Sequence, residues 1–199
     1  MEILSYVICI FLFLLATIIV SKIIVLKNIV YKEPKILANK KVLVVYYSNN
    51  GNTKNIAENL KSVTGGDIKE IELNEKYSDN IFKMSKLVRK QLKEGYLPKI
   101  NNIDISGYDV VFVCSPIWDF SISLPVKSFL KNNNFENKII IPFFTYSGGA
   151  GKNKLIKEIE NLTGNVNIKN PLFMFENGII LVKEQIINLL NKLPNNIEN

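Results

Sequence analysis

Hydrophobic and polar positions fall into three successive regimes along this chain. Ile3 to Ser21 carries no charge and is almost entirely Ile, Leu, Val and Phe. Residues 22–40 are lysine-rich and are broken by Pro34. From Lys41 onward, short apolar runs alternate with stretches of helical spacing. KVLVVYY (41–47), YDVVFVC (108–114) and KIIIPFF (138–144) are near-continuous apolar runs, the pattern of strands buried on both faces. DIKEIEL (67–73) mixes apolar and charged positions in rough alternation and reads as an edge strand. VNIKNPLFMF (166–175) is a poorer strand, bent where Pro171 removes a donor.

The intervening segments have the helical period. Residues 53–63 put Ile56, Ala57, Leu60 and Val63 on one face. Residues 79–94 do the same with Ile81, Met84, Leu87, Val88 and Leu92. Residues 152–162 do so with Leu155, Ile156, Ile159 and Leu162. A helix over 125–131 has Pro125 in its first turn, and a last helix covers 178–193. Strand and helix thus alternate five times, which predicts an α/β fold with a parallel sheet covered on both faces. Ligands in such sheets bind at the C-terminal strand ends, near the switch in strand order. The loops after the first, third and fourth strands are therefore the candidate site.

The first regime reads as a single transmembrane helix. At ~1.5 Å per residue, Ile3 to Ser21 comes close to the ~30 Å hydrocarbon core. A cleaved signal would want a basic start and a small-residue cleavage site; here Glu2 opens the chain and no A-x-A pattern follows. Residues 22–40 hold five Lys against one Glu, and no Lys or Arg precedes the apolar run. The positive-inside rule then places the C-terminal part in the cytoplasm, with the lysines against inner-leaflet lipid. The expected organisation is an anchor at 1–21, a basic juxtamembrane linker at 22–40 and one folded domain at 41–199. The formal charge of +7 comes largely from the linker, so the basic balance calls for no nucleic acid.

The chain has no histidine, which removes the commonest general acid–base and metal ligand. Its two cysteines, Cys9 and Cys114, make neither a zinc site nor a disulfide framework. Any hard chemistry is expected to belong to a cofactor. The first candidate loop is Ser48-Asn49-Asn50-Gly51-Asn52-Thr53, neutral, without bulky side chains and aimed at a helix start. Such a loop suits an anion, and it serves equally as an ordinary helix cap. It is neither a Walker A loop nor G-x-G-x-x-G. The second, SPIWDFSISLP (115–125), carries the chain's one Trp, which reads either as a core-capping residue or as a half-exposed platform for a flat ring. The third, TYSGGAGKN (145–153), holds Tyr146 and three glycines, so backbone can approach a ligand closely.

Together SNNGNT, YDVVFVCSPIW, IPFFTYSGG and LPVKSFL, in this order and spacing over residues 41–193, resemble the flavodoxin-like family. The resemblance implies a doubly wound five-stranded parallel sheet, order 2-1-3-4-5, that binds FMN non-covalently. Ser48, Asn50, Gly51, Asn52 and Thr53 would hold the phosphate, with Asn50 standing where the family usually has Thr. Ser115, Pro116, Ile117 and Trp118 would flank the isoalloxazine, with Trp118 stacking on it. Thr145, Tyr146, Ser147, Gly148 and Gly149 would cover the pyrimidine side. No catalytic residue and no metal site are expected.

An electron carrier between redox protein partners is the first functional expectation. A backbone carbonyl in the 116–119 region would accept a hydrogen bond from the ring after one-electron reduction. Asp119, a carboxylate with no cation in its loop, would lower the potential of full reduction. An NAD(P)H-dependent reductase of quinones or flavin is the alternative, favoured by an anchor in the bilayer where quinones dissolve. A flavin-free binding module of the same fold is a third. Residues 41–199 hold 20 Lys+Arg against 16 Asp+Glu, so either the partner is acidic or the anchor supplies its local concentration.

Overall fold

Alternating apolar side chains along the central strands divide between two cores. In the computed structural model β1 (Val42–Tyr46) sends Leu43 and Val45 to one side of the sheet and Val42, Val44 and Tyr46 to the other. β3 (Val110–Trp118) and β5 (Ile139–Tyr146) split in the same way, Val111 and Val113 opposing Val110 and Phe112, and Ile140 and Phe144 opposing Ile141 and Phe143. Helices close both cores. α2 (Asn52–Thr64) and α6 (Val182–Leu190) cover one with Ile56, Leu60, Ile186 and Leu190. α3 (Ile81–Glu94), α4 (Leu124–Asn132) and α5 (Lys152–Thr163) cover the other with Val88, Phe129 and Ile159. The near-continuous apolar runs follow from this burial on both faces.

The structure describes residues 2–27, 37–148, 152–164, 166–169, 171–175 and 182–193. Gly149, the middle of the expected linker and the start of the expected last helix lie outside the described residues. Among these residues the sheet has seven strands in the order β2-β1-β3-β5-β6, where β2 is Asp67–Glu70 and β6 is Asn167–Ile168. β4 (Ser121–Ile122) pairs with β3, and β7 (Leu172–Phe175) pairs with β5. The expected five-stranded order 2-1-3-4-5 is corrected on two points. The chain after β3 folds back as an additional short antiparallel strand. The last strand is divided by Pro171, whose missing N–H cannot continue the ladder with β5. β2 is also shorter than the alternation of 67–73 suggested, and Leu73 makes only an isolated bridge to Ile100.

β3 outruns β1. Their pairing ends at Tyr46 with Cys114, whereas β3 continues beside β5 to Pro116 with Thr145. Ser115 to Trp118 therefore project beyond the first strand, at the switch between β1 and β3. The stretch expected as a loop is a strand and a hairpin. Trp118 pairs with Ser121 around Asp119-Phe120, both in the left-handed region at φ 50° and 59°. Two such residues make the tight turn that matches strand twist, at a conformational cost that is steep for a side chain as large as Phe.

The N-terminal helix α1 runs from Glu2 to Lys27. Its described side chains, 6–22 and 24, are all exposed, and none joins either core. Among the described residues no helix is long and apolar enough to cross a membrane. The expected transmembrane helix thus receives no support from the structure.

Candidate functional site

The loop after β1 is a turn that hands its backbone to α2. Ser48 Oγ accepts a hydrogen bond from Gly51 N at 3.0 Å, and Asn50 Oδ1 accepts one from Asn52 N at 3.3 Å. Gly51 sits at φ 89°, a left-handed conformation in which a side chain is strained even though open space surrounds it. It begins the helix without a capping side chain, and no acidic residue stands in the first turn. No carboxylate in its first turn offsets the positive end of α2 at the mouth of the sheet, an arrangement that favours an anion.

Beside this loop lies a cavity of about 580 Å³, well within the range of small-molecule sites. Pro116, Ile117, Trp118 and Asp119 line it from the projecting end of β3 and the turn after it, with Asn49 and Asn50 from the first loop and Ser147 from the loop after β5. The opposite wall is α3 and the residue pair before it, with Asp79, Ile81, Met84, Ser85 and Val88. This wall was missed from sequence. The spacing of residues 79–94 predicts one apolar helical face and no part in a site; in the structure Val88 of α3 is buried, Met84 and Leu92 pack partly against the core, and Ile81 is exposed. The usable signal was position: a strongly amphipathic helix directly after a short edge strand.

The predicted residues fall into three groups. Asn50, Pro116, Ile117, Trp118 and Ser147 meet in the cavity, with Ser48, Gly51 and Asn52 in the turn behind Asn50 and Gly148 exposed after Ser147. Thr53, Ser115 and Thr145 are buried and hold the frame instead. Thr53 Oγ1 and Thr145 Oγ1 are 2.9 Å apart and tie the start of α2 to the end of β5. Ser115 Oγ lies 3.0 Å from Ser123 Oγ and accepts from Ser123 N, which closes the hairpin. Tyr146 turns away and packs edge-on against Phe173 and Phe175 of β7.

Trp118 is 8% exposed. Its indole meets Tyr47 edge-on, centroids 5.4 Å apart, and Tyr77 at 4.9 Å. It floors the cavity from within the core and is not the half-exposed platform of one reading. Burial pushes the Tyr77 phenol up to about 12, with Tyr96 a smaller cause, and raises Tyr47 for the same reason. Tyr77 Oη donates to Gln91 Oε1 of α3 at 2.9 Å. Full burial also raises the Cys114 thiol far above its ordinary range, so it is no nucleophile at neutral pH.

The hairpin is held from outside. Glu158 Oε2 of α5 accepts from Ser121 Oγ at 2.9 Å and Ile122 N at 3.1 Å, and lies 3.2 Å from Lys127 Nζ. At the tip, Asp119 Oδ1 takes a hydrogen bond from Arg89 Nε of α3 at 2.9 Å. The expected carboxylate without a cation is corrected by this pair, since a guanidinium from a distant helix neutralises it. Among the described residues no group of side chains has the composition of a metal centre.

The family model described as flavodoxin matches residues 41–193. The chain belongs to the flavodoxin family. A search of curated proteins finds no match. Among solved structures, the flavodoxin domain is similar to a flavoprotein from Lactobacillus acidophilus NCFM in complex with FMN. That protein shares 26% identity, with 69% of this chain and 93% of the other covered at a TM-score of 0.58. The apo-form of the flavoprotein from the same organism, solved by NMR, shares 24% identity, covering 67% and 91% at a TM-score of 0.54. The cavity between β1 and β3 thus lies on a flavodoxin frame, at the strand ends where such frames bind ligands.

Proposed function

We propose that this flavodoxin binds FMN non-covalently in the cavity at the β1–β3 switch and carries electrons between protein partners. One observation carries the reading. An acid-free helix start and an apolar slot adjoin each other, sharing Asn50 between them. The two halves suit a phosphate and a flat ring joined by a short polar chain. The similar flavoprotein solved with FMN supports the same ligand.

The residues present fit that group. The turn at Ser48–Asn52 would hold the phosphate with backbone N–H groups and the end of α2. Replacing the family's Thr by Asn50 keeps a donor in the loop. Pro116, Ile117 and Trp118 would form the inner wall, and Met84 and Val88 the outer one. Ser147 would close the polar edge. When bound, FMN supplies one- and two-electron redox chemistry. The protein's part is to orient the ring, exclude water from its faces and fix the hairpin beside it. Glu158 anchors that hairpin, so a carbonyl between Pro116 and Asp119 stays where the ring edge would sit.

We also propose that the N-terminal segment anchors the flavodoxin domain to the inner face of a membrane. Support comes from the sequence alone, where Ile3 to Ser21 is an uncharged, almost wholly apolar run. Lysines follow it but do not precede it. The test is anaerobic stepwise reduction of the full chain with FMN in an uncharged detergent, followed by visible absorption. Bound flavin with a long-wavelength one-electron band is the expected result. Bound flavin that passes directly to the two-electron form while oxidising NAD(P)H steadily would mark a reductase. Absence of binding would refute the FMN reading. Flotation of the full chain with lipid vesicles tests the anchor separately.

A further inference from the structure

α3 forms the outer wall of the cavity with one face and presents a different chemistry on the other. Lys83, Lys86, Lys90 and Lys93 recur three or four residues apart and share that outer face, with Arg89 beside them. The one carboxylate of the helix, Glu94, lies 3.9 Å from Lys90. Among the described residues no carboxylate pairs with Lys83, Lys86 or Lys93. At the N-terminal end of the helix Ile81 is 68% exposed and Phe82 84%, and Phe120 projects from the hairpin tip that Arg89 holds through Asp119. Asp79 and Asp119 are the acidic groups at this lip, and the second is already neutralised. A shallow groove runs along the helix from Ile81 and Phe82 to Lys93, and Ile81 and Ser85 line both this groove and the cavity.

We propose that this face of α3, edged by Phe82 and Phe120, is the docking surface for an acidic redox protein. Exposed apolar anchors beside a stripe of cations, of which Lys83, Lys86 and Lys93 have no paired carboxylate among the described residues, suit an electrostatically steered interface. The complement is a carboxylate-rich surface with one apolar projection to enter the groove. The groove favours a protein over a bilayer, since a fluid lipid surface offers no fixed projection to fill it. Contact with the cavity wall brings the partner to the edge of the proposed flavin site. That the partner is a redox protein rests on the FMN reading; the docking itself does not.

The test measures binding of an acidic [2Fe–2S] ferredoxin, used as probe, to the full chain in uncharged micelles by calorimetry. The wild type is expected to lose affinity about tenfold between about 20 mM and about 300 mM NaCl. K83E/K86E/K93E should lose about tenfold at low salt, and Phe82→Ser about threefold or more. K61E/K131E/K157E, an equal change of charge elsewhere, should stay within about threefold. Equal losses in both triple variants, salt-independent binding, or no binding of the ferredoxin would overturn the proposal. So would K83E/K86E/K93E losing affinity for phosphatidylserine vesicles while ferredoxin binding stays intact, which would assign the face to lipid. Docking of ferredoxin to a chain that takes up no FMN would uphold the surface and sink the FMN reading instead.

Discussion

α2 and α3 are nearly equal in length and cover opposite faces of the sheet, and they use their apolar residues in different ways. α2 buries Thr53, Ile56, Ala57 and Leu60 and carries no acidic residue in its first turn. α3 buries Val88 alone, caps its start with Asn80, and leaves Ile81, Phe82 and Leu87 exposed. Amphipathic spacing alone does not separate the two. The difference lies in what each helix faces: α2 faces a closed core, whereas α3 divides its length between the sheet's other core, the cavity and solvent. The first is chiefly scaffold, and the second is both core cover and cavity wall.

Four measurements press on this contrast. Leu60→Ala removes a fully buried side chain from the α2 core and should cost about 2–5 kcal/mol in urea unfolding. A cost under about 1 kcal/mol would deny α2 its scaffold role. Thr53→Ala leaves the buried Thr145 hydroxyl without this partner and should cost about 1–3 kcal/mol. FMN affinity should fall with it, because the start of α2 loses its tie to β5.

Alkaline pH tests the attachment of α3. The Tyr77 phenol is raised to about 12 in the folded protein, against about 10 when unfolded. Its contribution is therefore fully present below about pH 10 and is lost as pH rises toward 12. The loss is about 1.4 kcal/mol per pH unit in that window, and Tyr77→Phe should remove this part of the pH dependence. Smallest of all, Phe82→Ser should change stability by less than about 0.5 kcal/mol. A larger loss would place Phe82 in a packing role that its exposure argues against.

Much of the fold was legible because burial on both faces writes itself as unbroken apolar runs. Val42–Tyr46, Val110–Cys114 and Ile139–Phe144 were found from that signature, and Pro171 announced a break. The hairpin was not legible. Nothing in Trp118-Asp119-Phe120-Ser121 carries the Asn-Gly or Gly signal of a tight turn, and Glu158, which holds it, lies far along the chain. The same limit governed the site. Short loops of small residues showed which strand ends meet at the cavity, but not which hydroxyls face it. Thr53, Ser115 and Thr145 look like ligands in one dimension and serve as ties in three. The Arg89–Asp119 pair is a contact across 30 positions, and no local pattern foretells it.

The chain holds one tryptophan, and it is wedged edge-on between Tyr47 and Tyr77 at the bottom of the cavity. Nearly all the ultraviolet-excited emission of the protein therefore originates at a single point, directly under the place where a ligand would rest. A ring absorbing in the near ultraviolet and seated there would drain that light by energy transfer. An ionised Tyr77 or Tyr47 would drain it by another route. The molecule thus carries its own optical gauge, which registers occupancy and the state of its aromatic floor without any added label.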